Sequence, residues 1–323
     1  MRTSAHCDYL VPNGLKDDLQ YLVFSMRDWF AIQYVKTEVK MPVPYDPSRD
    51  ALNSPQLRPT VFTAGGNYDI DGLCAEFARL AYIRYENGGA ELQRLEQALA
   101  LVGFEGAVPF NNADDDTHGF GAVRRSDGLA VLAFRGTEPQ SLADIAIDLE
   151  GSLTAWTESA GQVHAGFARA ARGLHEAVGN WLNETAPTRK QLILTGHSLG
   201  AAIATLFASL CTPNALVTFG SPRVGDAAFV ATLAPVGIRR YVDCCDLVTD
   251  LPPPIGGYVH TGASDYITRE GKLAPHADDA FVQADRAAAR EDYLLQYAWR
   301  IGDVMVRDLA DHAPINYVRS LVP

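Results

Sequence analysis

Apolar and polar positions along this chain change period repeatedly, and each change predicts an element. Apolar residues recur at helical spacing from about Leu15 to Val35. The run MPVPYDPSRDALNSPQLRP follows. It predicts extended chain, because proline lacks an N–H and pushes the preceding residue out of the helical region. Helical spacing returns from about Asp71 to Tyr85 and again over AELQRLEQALALV. GFGAVRR and LAVLAFRG flank Ser126-Asp127-Gly128 and read as a hairpin. A helix from about Gly166 to Glu184 leads into an apolar strand at Leu192–Thr195, and a small-residue helix then runs from Leu199 to about Leu210. ALVTFGS and IRRYVDCC read as two further strands, and the chain from about Asp278 to Leu321 reads as helical. Apolar strands alternating with helices predict a mostly parallel sheet with an antiparallel pair near its start. No repeat, low-complexity linker or domain boundary interrupts the pattern.

Composition narrows what such a chain binds. With 39 acidic and 27 basic residues the net charge is −12, which disfavours nucleic acid and anionic membrane. The longest apolar run is too short to span a bilayer. The first residues, MRTSAHCDYLVPNGLKDD, carry neither an apolar core nor a small-residue cleavage site. That predicts a cytoplasmic protein, with export by a route that needs no cleaved signal as the alternative. The cysteines Cys7, Cys74, Cys211, Cys244 and Cys245 are odd in number, scattered and without metal-ligand spacing, so neither a disulfide framework nor a metal site is expected.

The chemistry concentrates where the Leu192–Thr195 strand turns into the next helix. Gly196-His197-Ser198-Leu199-Gly200 is a G-x-S-x-G pattern. A tight strand-to-helix turn exposes the serine hydroxyl at the strand end, small flanking residues let helix and strand approach, and the helix N-terminus aims free N–H groups at the same spot. A serine hydroxyl needs a base, and the base needs an orienting carboxylate. In this arrangement the carboxylate follows the serine in the chain and the histidine comes last. His260, His276 and His312 are the histidines after Ser198, and Asp243, Asp246 and Asp250 offer carboxylates after a strand. His164 and His197 read as packing groups, with the His197 ring propping the turn.

VLAFRGT, VHAGF, GHSLGAAIA, VTFGSPRVGD, DLVTDLPP, YVHTG and DHAPINY stand in the order found in the fungal-type (class 3) lipases, and the chain resembles that family from about Val131 to Tyr317. The resemblance implies an α/β-hydrolase fold with a mostly parallel central sheet flanked by helices. The helical patterns at both ends have no counterpart in the family; with no domain boundary in the pattern, the expectation is one domain over 1–323, with the motif-bearing core at about 118–321 and a helical extension, 1–117, packed on it. The implied activity is carboxylester hydrolysis of acylglycerols, with no cofactor or metal, on a lipid or other ester substrate at a lipid–water interface. A phospholipase A or feruloyl-type esterase on the same scaffold is the alternative, and a non-catalytic interaction protein is the rival from another class. Carried over by residue, Ser198 is the nucleophile, Asp246 the acid and His312 the base. Thr137 and Leu199 line the oxyanion hole. The segment after Thr137 corresponds to the family's lid, where Leu142, Ile145, Ile147 and Leu149 give an apolar face and Ile145 or Ile147 replaces the family's tryptophan.

Overall fold

Eight strands form the central sheet: β1 (Val108–Asn112), β2 (Thr117–Arg124), β3 (Leu129–Phe134), β6 (Gln191–His197), β7 (Ala215–Phe219), β8 (Gly237–Asp243), β9 (Ser264–Ile267) and β10 (Leu273–Pro275), side by side in that order. The computed structural model describes residues 43–136 and 151–322, all within one unit that begins at Met41. The helix expected at Leu15–Val35 lies outside the described residues. From β3 through β9 the neighbours run parallel, while β1, β2 and β10 are antiparallel to theirs. A separate two-stranded sheet joins β4 (Leu153–Ala155) to β5 (Gln162–His164). This is the α/β-hydrolase arrangement, a mostly parallel sheet with helices on both faces.

The uninterrupted apolar runs of β3 and β6 follow from that layering. A strand covered on both faces has no solvent side, so both sets of alternating positions must be apolar. In β3, Leu129, Val131 and Ala133 pack with Leu73, Phe77 and Leu80 of the helix Ile70–Leu80 and with Val318 of the helix Pro314–Leu321. The alternate residues Ala130, Leu132 and Phe134 pack on the other face with Phe167 and Leu174 of the helix Ala165–Thr185 and with Ile203 and Phe207 of the helix Leu199–Cys211. Phe134 and Phe207 stack at 5.0 Å between ring centroids, almost coplanar at 4°.

Several elements depart from the reading of the sequence. The proline-rich run is not simply extended: Arg49–Asn53 forms a helical turn and Pro55–Leu57 a 3-10 turn. The Ser48 side chain caps the first by accepting from Ala51 N–H, a local bond stronger than the proline bias. The C-terminal helical stretch breaks into Asp279–Gln296, Arg307–Ala310 and Pro314–Leu321. Val108–Asn112, Ser264–Ile267 and Leu273–Pro275 add edge-side strands that carry too little alternation to be seen in sequence. Among the described residues, no helix is long and apolar enough to cross a membrane.

Candidate active site

The parallel registers bring the ends of β6, β7 and β8 together, and the candidate residues follow from there. Phe134 at the end of β3 pairs with Gly196 on β6, and His197 pairs with Phe219 on β7. Ser198 N–H then donates to the Phe219 carbonyl at 3.0 Å. The chain must reverse into the helix Leu199–Cys211 within one residue, and Ser198 takes φ 58° and ψ −128° to do so. Such a left-handed conformation costs a non-glycine residue about 1–3 kcal/mol and persists only where its surroundings over-determine it. Gly200 is part of that determination: a Cβ there would lie 2.1 Å from the Phe134 carbonyl oxygen.

Ser198 Oγ lies 3.0 Å from His312 Nε2. His312 Nδ1 lies 3.0 and 2.9 Å from the two carboxylate oxygens of Asp246. Asp246 and His312 are fully buried, and Ser198 is 7% exposed. Serine, histidine and aspartate expected from the sequence therefore meet as one continuous hydrogen-bonded chain. Asp246 leaves β8 through the turn Asp243–Asp246, and its carboxylate also accepts from Val248 N–H at 2.9 Å. His312 is delivered by the bend between the helices Arg307–Ala310 and Pro314–Leu321.

Other groups of the site escaped the sequence. The Tyr317 hydroxyl donates to Asp246 Oδ2 at 2.5 Å and accepts from Asp243 N–H at 3.1 Å. Burial, with the Asp246 and Asp243 carboxylates beside it, raises the Tyr317 pKa well above its usual value, so the hydroxyl keeps its proton to donate. Gly220 sits at φ +57°, and a Cβ there would come within 2.8 Å of Asp246 Oδ2 and 3.1 Å of the His312 ring. The Tyr82 hydroxyl lies 2.9 Å from His197 Nδ1. Tyr317 stood in the DHAPINY signal and Gly220 in VTFGSPRVGD, each without a role, whereas Tyr82 had no signal.

The remaining candidates fall elsewhere. Asp243 is fully buried, and neither carboxylate oxygen has a hydrogen-bond partner among the described residues. Desolvation, and then the neighbouring Asp311 carboxylate, raise its pKa well above the ordinary range. The Asp250 carboxylate pairs with Arg286 at 3.1 Å. His260 is half-buried, and desolvation, reinforced by Arg240 and Arg223, pushes its pKa down to about 3. His276 is exposed in a loop. His164 caps no helix with its side chain and stacks on Phe167 at 4.2 Å. Leu199 opens the helix after Ser198, where first-turn N–H groups lack intrahelical acceptors. Thr137 and the lid positions Leu142, Ile145, Ile147 and Leu149 lie outside the described residues.

Among the described residues, Cys244, Cys245 and Asp311 bring potential metal-ligating atoms within 4.8 Å of one another. Asp311 is already engaged there: it accepts from the Tyr45 hydroxyl at 2.8 Å, Cys245 N–H at 3.0 Å and Arg307 Nε at 3.0 Å. A buried guanidinium on that carboxylate opposes a second cation, so the group is a closed polar network that braces the turn before Asp246.

Residues 131–255 match the family model described as lipase (class 3). A lipase of Rhizomucor miehei is 34% identical over 174 residues, which cover 47% of this chain and 46% of that protein. The secreted mono- and diacylglycerol lipase A of Penicillium cyclopium is 31% identical over 187 residues, covering 52% of this chain and 57% of that one. This chain spans about half the length of the curated relatives it matches. A solved triacylglycerol lipase, described as having a serine protease triad at its catalytic centre, superposes with a TM-score of 0.52 at 27% identity, over 61% of this chain and 77% of that one. The expectation of a cytoplasmic protein is corrected here, since the Penicillium relative is a secreted enzyme. The match over 131–255, with the fold built around it, makes this part of the chain similar to the class 3, fungal-type lipases.

Proposed function

We propose that this protein is a serine carboxylester hydrolase that cleaves acylglycerol esters outside the cytoplasm. One observation carries the reading: Ser198 Oγ, His312 and Asp246 form an unbroken hydrogen-bonded relay, buried at the carboxyl ends of the parallel strands. In the proposed reaction His312 Nε2 takes the Ser198 proton as Oγ attacks the ester carbonyl. The carbonyl π-electrons move onto oxygen, where the N–H groups of Leu199 and Thr137 receive the charge. Collapse expels the alcohol, which takes the proton from His312, and leaves an acyl-serine. Water then repeats the sequence, giving its proton to His312 and releasing the carboxylic acid. Asp246 holds the imidazole in the required tautomer and balances its positive form. The apolar positions Leu142, Ile145, Ile147 and Leu149 are proposed to face the acyl chain. Treatment of the whole chain as one hydrolase domain belongs to the same proposal.

Hydrolysis of p-nitrophenyl butyrate, p-nitrophenyl palmitate and emulsified triglyceride tests the reading. Wild type is expected to turn over at least one of them. Ser198→Ala and His312→Ala, still folded by circular dichroism, should each lose about four or more orders of magnitude in kcat. Wild-type inertness on all three substrates would overturn the proposal, and so would a Ser198→Ala variant that keeps its activity.

A further inference from the structure

His197, one residue before the nucleophile, has no part in the reaction as written. Its ring is nonetheless in contact with the base. The His197 and His312 ring centroids are 4.4 Å apart with 37° between planes, and the Tyr317 ring meets His197 edge-on at 5.7 Å. His197 is 2% exposed, with Nδ1 at the Tyr82 hydroxyl and Nε2 without a hydrogen-bond partner among the described residues. Burial, and then the neighbouring His312, hold its pKa well below the usual histidine value, so the ring carries no charge at neutral pH.

The contact has consequences because His312 alternates between neutral and cationic during acyl transfer. Asp246 meets its Nδ1 edge and Ser198 its Nε2 edge, while the His197 ring packs against the His312 ring, tilted by 37°. An uncharged aromatic face within about 6 Å of a cation attracts it, most strongly where water is excluded. The same stacking keeps the His312 ring from rotating out of the plane that joins both hydrogen bonds. Building on the hydrolase reading, we propose that His197, fixed by the Tyr82 hydroxyl, is a positioning residue that clamps the His312 ring and stabilises its cationic form during acyl transfer. The titratable groups that face this pair are Asp246 from the turn after β8, Tyr317 and Ser198 in direct contact, and Tyr82 on His197. Asp243 is linked through Tyr317, and Asp311, next to His312 in the chain, is paired with Arg307. Of these, His312 is the one whose charge changes with the reaction.

The test measures kcat, KM and the pH dependence of kcat/KM on p-nitrophenyl butyrate for wild type, His197→Leu, His197→Phe and Tyr82→Phe. A second readout follows the His312 ring by NMR titration in wild type and His197→Leu. His197→Leu is expected to lower kcat by about three- to thirtyfold, on the scale of one cation–aromatic contact, with KM within about twofold. It should also move the acid limb to lower pH, because a less stabilised cation gives up its proton earlier. His197→Phe restores the aromatic face and should recover most of kcat and the position of the limb. Tyr82→Phe, which frees the His197 ring, should fall between. The proposal is overturned if the acid limb and the His312 titration stay in place in His197→Leu, or if activity merely follows thermal stability across the three variants. Should wild type hydrolyse no ester, the hydrolase reading fails on its own, and the NMR shift still decides whether His197 stabilises the His312 cation.

Discussion

Asp243 ends β8, Asp246 follows in the turn after it, and both are fully buried, yet their surroundings assign them opposite electrostatic roles. Asp246 receives His312, Tyr317 and Val248 N–H, a set of donors that suits a carboxylate. Asp243 receives none of these, and burial beside the Asp311 carboxylate raises its pKa, which favours the protonated form. Asp246→Asn should lower kcat by about a thousandfold or more, because an amide can neither hold the required tautomer nor balance the imidazolium. Asp243→Asn should leave kcat within a few-fold. The stability effect has a defined sign: a carboxyl with a raised folded pKa contributes fully below its unfolded value, near 4, and loses that contribution as pH rises. The melting-temperature difference between Asp243→Asn and wild type should therefore move in favour of the variant as pH rises from about 4 to 8. A difference that stays flat with pH would show Asp243 ionised in the fold. From sequence the two aspartates, with Asp250, were separable by motif alone, since nothing local in DCCDLVTD states which carboxylate meets a histidine that lies far along the chain.

At the scale of elements, the strand–turn–helix around Ser198 was legible because three signals agree there: an apolar run, a G-x-S-x-G turn and a small-residue helix. Its tightness is a packing fact, with Gly200 pressed against the Phe134 carbonyl at the end of β3. Gly200→Ala should destabilise the protein by about 1–3 kcal/mol through this overlap, read as a lower urea midpoint. It should also reduce kcat, since Ser198 keeps its left-handed conformation only while the helix stays close. A variant with wild-type midpoint and kcat would mean that the helix can withdraw without cost. The elements missed in the sequence share a cause. β1 and β10 are the sheet's edge strands and β9 is next to one of them, and toward an edge little apolar patterning is required. The Arg49–Asn53 turn depends on one Ser48 cap.

For the molecule as a whole, buried neutral histidines set the response to acid. Folded-state pKa values lowered in His197 and His260 mean that their neutral forms stabilise the fold above the unfolded pKa, near 6.5. As pH falls the unfolded chain takes up those protons first, and stability falls with it, for His260 down to about pH 3. The melting temperature should drop between about pH 7 and 4, and His260→Gln should make that slope shallower. An equal slope in the variant would show that His260 takes up its proton in the folded state as it does when unfolded. The sequence by itself determined the alternation of strands and helices, the Ser198 turn and the resemblance to the class 3 lipases, because each motif rests on residues close together in the chain. Only the tertiary structure brought the motif-assigned Asp246 and His312 onto Ser198, placed Tyr317, Gly220 and the Tyr82–His197 pair around them, and left the Asp243 carboxylate without a hydrogen-bond partner among the described residues. Those are contacts between segments far apart in the chain, and they exist only once the parallel sheet has aligned its strand ends and the C-terminal helices have closed over them.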